Sequence, residues 1–240
     1  MVNHYVRVAE KAVQYKIMID AHEPVRPTGL HRTYPNWIAC EAARGNEFNA
    51  WSIGNPPAHE TILPFTRLKG GPMDYTPGIF EIKMSYYNPN RKEQVHTTLA
   101  KQLALYITMY SPLQMAADFP ENYAKRLDAF KFIEDVAVDW DETKWLEAEP
   151  GDYITVARKA KGKDEWFIGA ITDENARTAT ATLSFLDPNK NYTATIYADA
   201  VDADWEKNPM AYKIFQQRVT SKSVLKLKLA PGGGAAVSLR

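Results

Sequence analysis

The chain has 240 residues, 45% of them apolar and 24% charged, the composition of a folded protein rather than a disordered tail. Basic and acidic residues balance at 29 each, so no net field draws nucleic acid or an anionic membrane. Cys40 is the single cysteine, which excludes an internal disulfide, and no apolar run reaches the ~18 residues of a membrane span.

The chain opens on MVNHYVRVAEKAV, which lacks the apolar core of a secretory signal. Tyr5, Val6, Val8, Ala9, Ala12 and Val13 instead form a helical stripe from Asn3 to Tyr15. Lys16 to Asp20 reads as a short strand that ends at Ala21-His22-Glu23-Pro24. Pro24, Pro27 and Gly29 then force a loop. Trp37 to Cys40 is a second apolar run, again delivering a carboxylate, Glu41, at its end, with Glu47 in the adjoining loop. Ile62 to Phe65 is a third candidate strand, before the turn-rich segment Gly70 to Gly78. Gln94 to Tyr110 is the clearest helix, with Leu99, Leu103, Tyr106 and Tyr110 on one face. Leu113 to Asp118 reads as a fourth strand, Pro120 can open a helix, and Tyr123 to Val138 carries a further apolar stripe.

After Asp139 the texture changes. Tyr153–Arg158, Trp166–Ile171, Thr178–Phe185, Tyr192–Ala198, Tyr212–Val219 and Ser223–Leu229 read as strands between Gly, Pro, Asn and Asp turns. Gly232-Gly233-Gly234 is a turn before one last short strand, not a phosphate loop, because no Lys-Ser/Thr follows. The expected fold class is therefore α/β followed by all-β. Residues 1–144 would hold about four βα units, half of a (β/α)8 barrel or an open sheet, and residues 145–240 an antiparallel β-sandwich domain.

Residues 21–51 concentrate the chemistry: Glu23, Glu41 and Glu47 lie among His22, Arg26, His31, Arg32, Arg44 and two tryptophans. Carboxylates at the carboxyl ends of parallel strands are where such folds place catalysis. Glycoside hydrolysis needs two carboxyl groups, and a hard cation such as Ca²⁺ needs several oxygen ligands. The competing reading pairs these acids with Arg26, Arg32 and Arg44 in surface salt bridges. Asn46 and Asn49 read as capping residues ahead of substrate-binding ones, and Asp74 and Asp118 stand at candidate strand ends, where turn or helix-capping roles are at least as expected. Cys40 reads as a small buried hydrophobe.

HEPVRPTGLHRTYPNW, CEAARGNEFNAW and GGPMDYTPGIF, followed in order by SPLQMAADFPENY and the β-rich tail, resemble glycoside hydrolase family 97 over nearly the whole chain. The type most similar is the α-glucosidase of starch-utilisation systems. The resemblance implies an N-terminal β-sandwich, a catalytic (β/α)8 barrel, a C-terminal β domain, a catalytic Ca²⁺ and a periplasmic location. It assigns Glu47 as general acid and Glu23 as catalytic base and Ca²⁺ contact. It makes Glu41 a Ca²⁺ ligand, brings Glu47 close to the ion, and puts His22 at the sugar. Retaining members lack the glutamate at the Glu23 position, so Glu23 implies inversion. The implied substrate is an α-glucoside or maltooligosaccharide, with α-galactosidase activity or non-catalytic carbohydrate binding as alternatives. Only the second half of the barrel and the C-terminal domain correspond to this chain. An incomplete catalytic segment of that kind would be inactive, or nearly so, by itself, and its open barrel edges would favour self-association.

Overall fold

The computed structural model describes residues 1–26 and 29–240. Pro27, within the predicted loop, lies outside them. Helix α1 (Val2–Gln14) takes the predicted stripe and buries Ala9 against Trp37 and Cys40. It leads to strand β1 (Ile19–Ala21), and the one-turn helix α2 (Leu30–Thr33) precedes β2 (Trp37–Cys40). β1 and β2 pair in parallel, Ala21 opposite Cys40.

The two strands predicted next are not strands. Ile62 to Phe65 finishes helix α3 (Pro57–Ile62) and enters a 3-10 turn, Leu63–Phe65. A four-residue apolar run cannot by its pattern be told from buried helix, and Pro64 has no N–H for a ladder. Leu113 to Asp118 is irregular, and its carbonyls and amides bond side chains and loops instead. The parallel pair is extended elsewhere. Met73 bridges Cys40 in parallel, and the Met73 amide donates to the Tyr110 carbonyl at 3.1 Å.

Helix α4 (Leu99–Thr108) is shorter than the predicted Gln94–Tyr110 because Thr98 ends it, its hydroxyl oxygen accepting from the Lys101 amide at 3.2 Å. All ten residues of α4 are buried. Helices α5 (Pro120–Ala124), opened by Pro120, and α6 (Leu127–Asp135) follow.

The remainder is antiparallel. Strands β3 (Trp140–Glu149), β4 (Tyr153–Ala160), β5 (Trp166–Thr172), β6 (Arg177–Thr182), β7 (Tyr192–Asp199), β8 (Tyr212–Val219), β9 (Val224–Leu229) and β10 (Gly234–Leu239) succeed one another along the chain. Six form one sheet in the order β3-β4-β5-β10-β7-β8, and β6 pairs with β9 in a second. β3 begins at Trp140, ahead of the predicted Trp145. Its acidic and basic residues hide a strand pattern, and as an edge strand it has one side free for such charges.

Both faces of the large sheet are covered, and the period of two sorts its residues between them. Val156, Phe167, Ile171, Tyr197 and Ala236 face the core shared with α4 and α6. Ala157, Trp166, Ile168, Ala170 and Val237 face the core under β6 and β9. Gly169 makes the first contact possible. A Cβ there would stand 2.7 Å from the Ala104 carbonyl oxygen and from the Ile107 Cβ, so α4 rests directly on the backbone of β5.

Lys101 closes the same interface. Its fully buried ammonium lies 2.7 Å from Glu60 Oε2 and donates to the carbonyls of Pro57 at 3.0 Å and Thr172 at 2.9 Å. The Tyr75 hydroxyl donates to the other Glu60 oxygen at 2.8 Å. One cation thus ties α4 to α3 and to the end of β5. Replacing Lys101 by Met strands the Glu60 charge in the interior. Urea unfolding of Lys101→Met is expected to show a loss of about 3–5 kcal/mol, much of it recovered in Lys101→Met/Glu60→Leu.

Asp199, at the end of β7, accepts the amides of Ala230 (2.8 Å) and Gly234 (2.9 Å) and closes the turn into β10. Burial outweighs these hydrogen bonds and lifts its pKa to about 6. A carboxyl whose folded pKa is raised binds more protons when folded. Its contribution to stability is therefore present below pH ~4 and lost as pH climbs through 6. Asp199→Asn keeps an acceptor without the charge. Its unfolding midpoint should gain on wild type between pH 4 and 7, measured by urea titration at each pH.

Candidate active site

Each strand of the parallel set releases its chain into a left-handed residue. Glu23 (φ 48°), Ala42 (φ 49°) and Thr76 (φ 57°) follow closely on His22, Glu41 and Asp74. Non-glycine residues pay roughly 1–3 kcal/mol for such backbone, which survives where the surroundings over-determine it. Here the sharp turns bring three strand-end side chains to one mouth.

Arg67 over-determines one of them. Its half-buried guanidinium donates to the carbonyls of Cys40 (2.7 Å), Glu41 (2.9 Å), Gly71 (3.0 Å) and Pro72 (3.1 Å), stapling the end of β2 to the segment entering Asp74. A second anchor holds the 3-10 turn Asn46–Ala50 that carries Glu47. Asn46 donates to the Thr76 carbonyl at 3.1 Å and to Gln102 at 3.0 Å, and Asn49 donates to the Asn46 carbonyl at 2.7 Å. Both asparagines are buried structural ties rather than the caps expected of them: the turn starts at Gly45 without a side-chain cap bond.

His22 stands at the centre. Its Nε2 lies 2.6 Å from Asp74 Oδ2, and its Nδ1 lies 3.9 Å from both Glu41 Oε2 and Glu47 Oε1. The Asp74 side chain is wholly buried, Glu41 is 13% exposed and Glu47 48%. Burial disfavours the imidazolium, but the Asp74 hydrogen bond and the charges of Asp74, Glu41 and Asp20 outweigh it and raise the His22 pKa. Asp20, beneath them, has its pKa pushed to about 7, by burial first and then by the Asp74 charge.

Glu41 and Glu47 therefore converge with His22, 25 residues and fewer apart in sequence. The Glu23 carboxylate does not join them. It is exposed and makes no hydrogen bond or ion pair among the described residues. Glu23 reaches the cluster through its backbone, its amide donating to Glu41 Oε2 at 3.2 Å and its carbonyl accepting from the Tyr5 hydroxyl at 3.0 Å. Among the described residues none of the three glutamates pairs with an arginine; Arg44 instead lies over the Phe48 ring at 5.1 Å. The surface salt-bridge reading falls with that. Asp74 does serve the turn, accepting the Thr76 amide at 3.2 Å, and it also orients His22. Its expected place at a strand end is kept only in part, since the strand before it is reduced to a single bridge from Met73 to Cys40.

Two groups of side chains bring ligand atoms within 4.8 Å of one another: His22, Glu41 and Glu47, and Asp20, His22 and Asp74. Carboxylate oxygens from Glu41 and Glu47 suit a hard cation, which takes six to eight oxygens and would complete its shell with water or other groups. Glu23 does not fit that set as oriented.

Residues 139–240 match the family described as glycosyl-hydrolase 97 C-terminal, oligomerisation, and residues 1–43 match glycoside hydrolase 97. A retaining alpha-galactosidase of Bacteroides thetaiotaomicron is 37% identical over 238 residues, 98% of this chain and 35% of its own length. Two structures of a family 97 enzyme from a Pseudoalteromonas species superimpose on all of the chain and 37% of theirs. The complex with acarbose has TM-score 0.94 and 47% identity, and the complex with panose 0.93 and 46%. These matches place the protein among glycoside hydrolases. The chain belongs to glycoside hydrolase family 97, and it spans about a third of the length of these relatives.

Asp74→Asn should remove the downfield Nε2 proton resonance of His22 while leaving the fold intact, as read by proton–nitrogen correlation spectra of the ring.

Proposed function

We propose that this chain carries the acid–base carboxylates of a Ca²⁺-dependent glycosidase that cleaves α-glucosidic bonds in maltooligosaccharides with inversion. The observation that carries this is the convergence of His22, Glu41 and Glu47 at the carboxyl ends of parallel strands, where Nδ1 of His22 lies 3.9 Å from both carboxylates. The parallel run of β1, β2 and Met73, with the Met73 amide bonded on to the Tyr110 carbonyl, supports reading that region as consecutive strands of a (β/α)8 barrel. The α-glucoside preference draws support from the Pseudoalteromonas enzyme, whose complexes hold panose and acarbose.

In this reading Glu47, half exposed on its 3-10 turn, donates a proton to the leaving oxygen. Glu23, whose carboxylate has no partner among the described residues and which sits on a strained turn, rotates toward the sugar and activates water. His22, fixed by Asp74, donates to a sugar hydroxyl. Glu41 and Glu47 would hold Ca²⁺, with Glu23 swinging in as a further oxygen donor. The ion when bound supplies positive charge that orients the sugar.

A second reading is favoured by one finding, the 37% identity to a retaining alpha-galactosidase. Glu23 weighs against it, because the family resemblance associates a glutamate there with inversion. An incomplete segment should turn over little by itself, so turnover of p-nitrophenyl α-glucoside and α-galactoside with added Ca²⁺, measured on the chain joined to the upstream part of a family 97 barrel and followed by NMR of the first-formed anomer, separates the two. β-Glucose first is the expected result; α-galactose first would select the second reading. Glu47→Gln should lower turnover about 10²–10⁴-fold. Ca²⁺ should raise the melting temperature of the chain, and Glu41→Gln should abolish that rise.

A further inference from the structure

Beside the acid cluster lies a second groove, lined among others by Ile79, Glu81, Met84, Tyr87, Ala117 and Phe119. It is close to the first site, since only three residues run from Asp74 to Pro77, a span of at most about 11 Å, and the Pro77 carbonyl accepts the Ala117 amide at 3.2 Å. Asp118 builds it. One carboxylate oxygen takes the amides of Phe80 (2.8 Å) and Glu81 (2.7 Å), and the other takes the Phe119 amide (2.7 Å) and the Asn122 side chain (2.6 Å). The loops before α4 and before α5 are thereby joined into one wall, and Asp118 has little left to offer a ligand.

Glu81 is the opposite case. It is 94% buried by its 6% residual exposure, lines the groove, and its carboxylate makes no hydrogen bond or ion pair among the described residues. Burial raises its pKa against the fields of Arg126 and Lys125. Its carboxylate oxygens open onto the groove, where a ligand hydroxyl can take the place of water. Meanwhile Phe119 is 61% exposed and Tyr87 47%, their rings meeting edge-on at 6.0 Å, so aromatic surface faces solvent at the rim. An acceptor open to the groove beneath exposed rings matches a sugar, which presents hydroxyl donors around an apolar ring face.

We propose that this groove is a carbohydrate-binding subsite separate from the acid cluster, in which Glu81 accepts a hydroxyl hydrogen and Phe119 and Tyr87 pack on the ring of a neutral glycan unit. It rests on the glycosidase reading for the class of ligand and extends it to a more distant unit of the same chain. Lys125, committed to the Tyr86 hydroxyl and the Asn122 side-chain oxygen, leaves the carboxylate to the ligand.

The test is maltotriose titrated into the methyl-labelled chain, reading the Met84 methyl in the groove and the His22 ring in the acid cluster. A saturable shift at Met84 is expected. Glu81→Gln should weaken that binding about tenfold, and Phe119→Ala about three- to tenfold, with melting temperatures confirming both folds. A Met84 methyl that stays still, or affinities unchanged in both variants, overturns the subsite. Movement of Met84 with a silent His22 ring keeps the groove and removes the α-glucoside reading of the acid cluster. Movement of His22 alone does the reverse.

Discussion

The buried ammonium of Lys101 is the constraint on which the rest of the molecule leans. It sits where α3, α4 and β5 meet, where it neutralises one buried carboxylate at ion-pair distance and donates to two carbonyls of the interior. A hydrophobic contact could hold these elements together, but it would not fix their angle. A cation with three acceptors at 2.7–3.0 Å does. Glu60, its partner, is held in turn by Tyr75, the residue after Asp74, so the same network sets the height of the acid cluster.

From that anchor the site is built by strained turns. β1, β2 and the segment at Met73 are too short to position side chains by length of ladder. Their register is kept instead by Arg67, which gathers carbonyls from both sides of the seam, and by the Asn46–Gln102 contact, which ties the Glu47 turn to α4. The left-handed residues 23, 42 and 76 then redirect the chain just beyond each strand. The mouth is consequently held by these bonds around His22, Glu41 and Asp74 and open to solvent at Glu23 and Glu47.

The antiparallel part shows how much a pattern reveals when both faces are buried. β5 reads as a continuous apolar run because α4 covers one side and β6 with β9 the other. β9 alternates cleanly because only one face is covered. β3 escaped notice for the complementary reason: an edge strand half in solvent tolerates Asp141, Glu142, Lys144 and Glu147, and its hydrogen bonds to β4 leave no mark on composition.

What the amino-acid order determined by itself was local and periodic: α1, α4, the short strands carrying His22 and Glu41, and most of the β strands follow from apolar spacing and from where Pro, Gly and Asn interrupt it. The concentration of acids after those strands also belongs to the order of residues, as does the likeness to family 97. Only tertiary structure decided that Asp74 meets His22 across 52 residues, that the Glu23 carboxylate stands apart from Glu41 and Glu47, and that β10, last in the chain, lies at the centre of the sheet between β5 and β7. Those choices depend on which buried polar groups can find partners once the helices have docked, a condition set by distant residues jointly and carried by no single stretch of sequence.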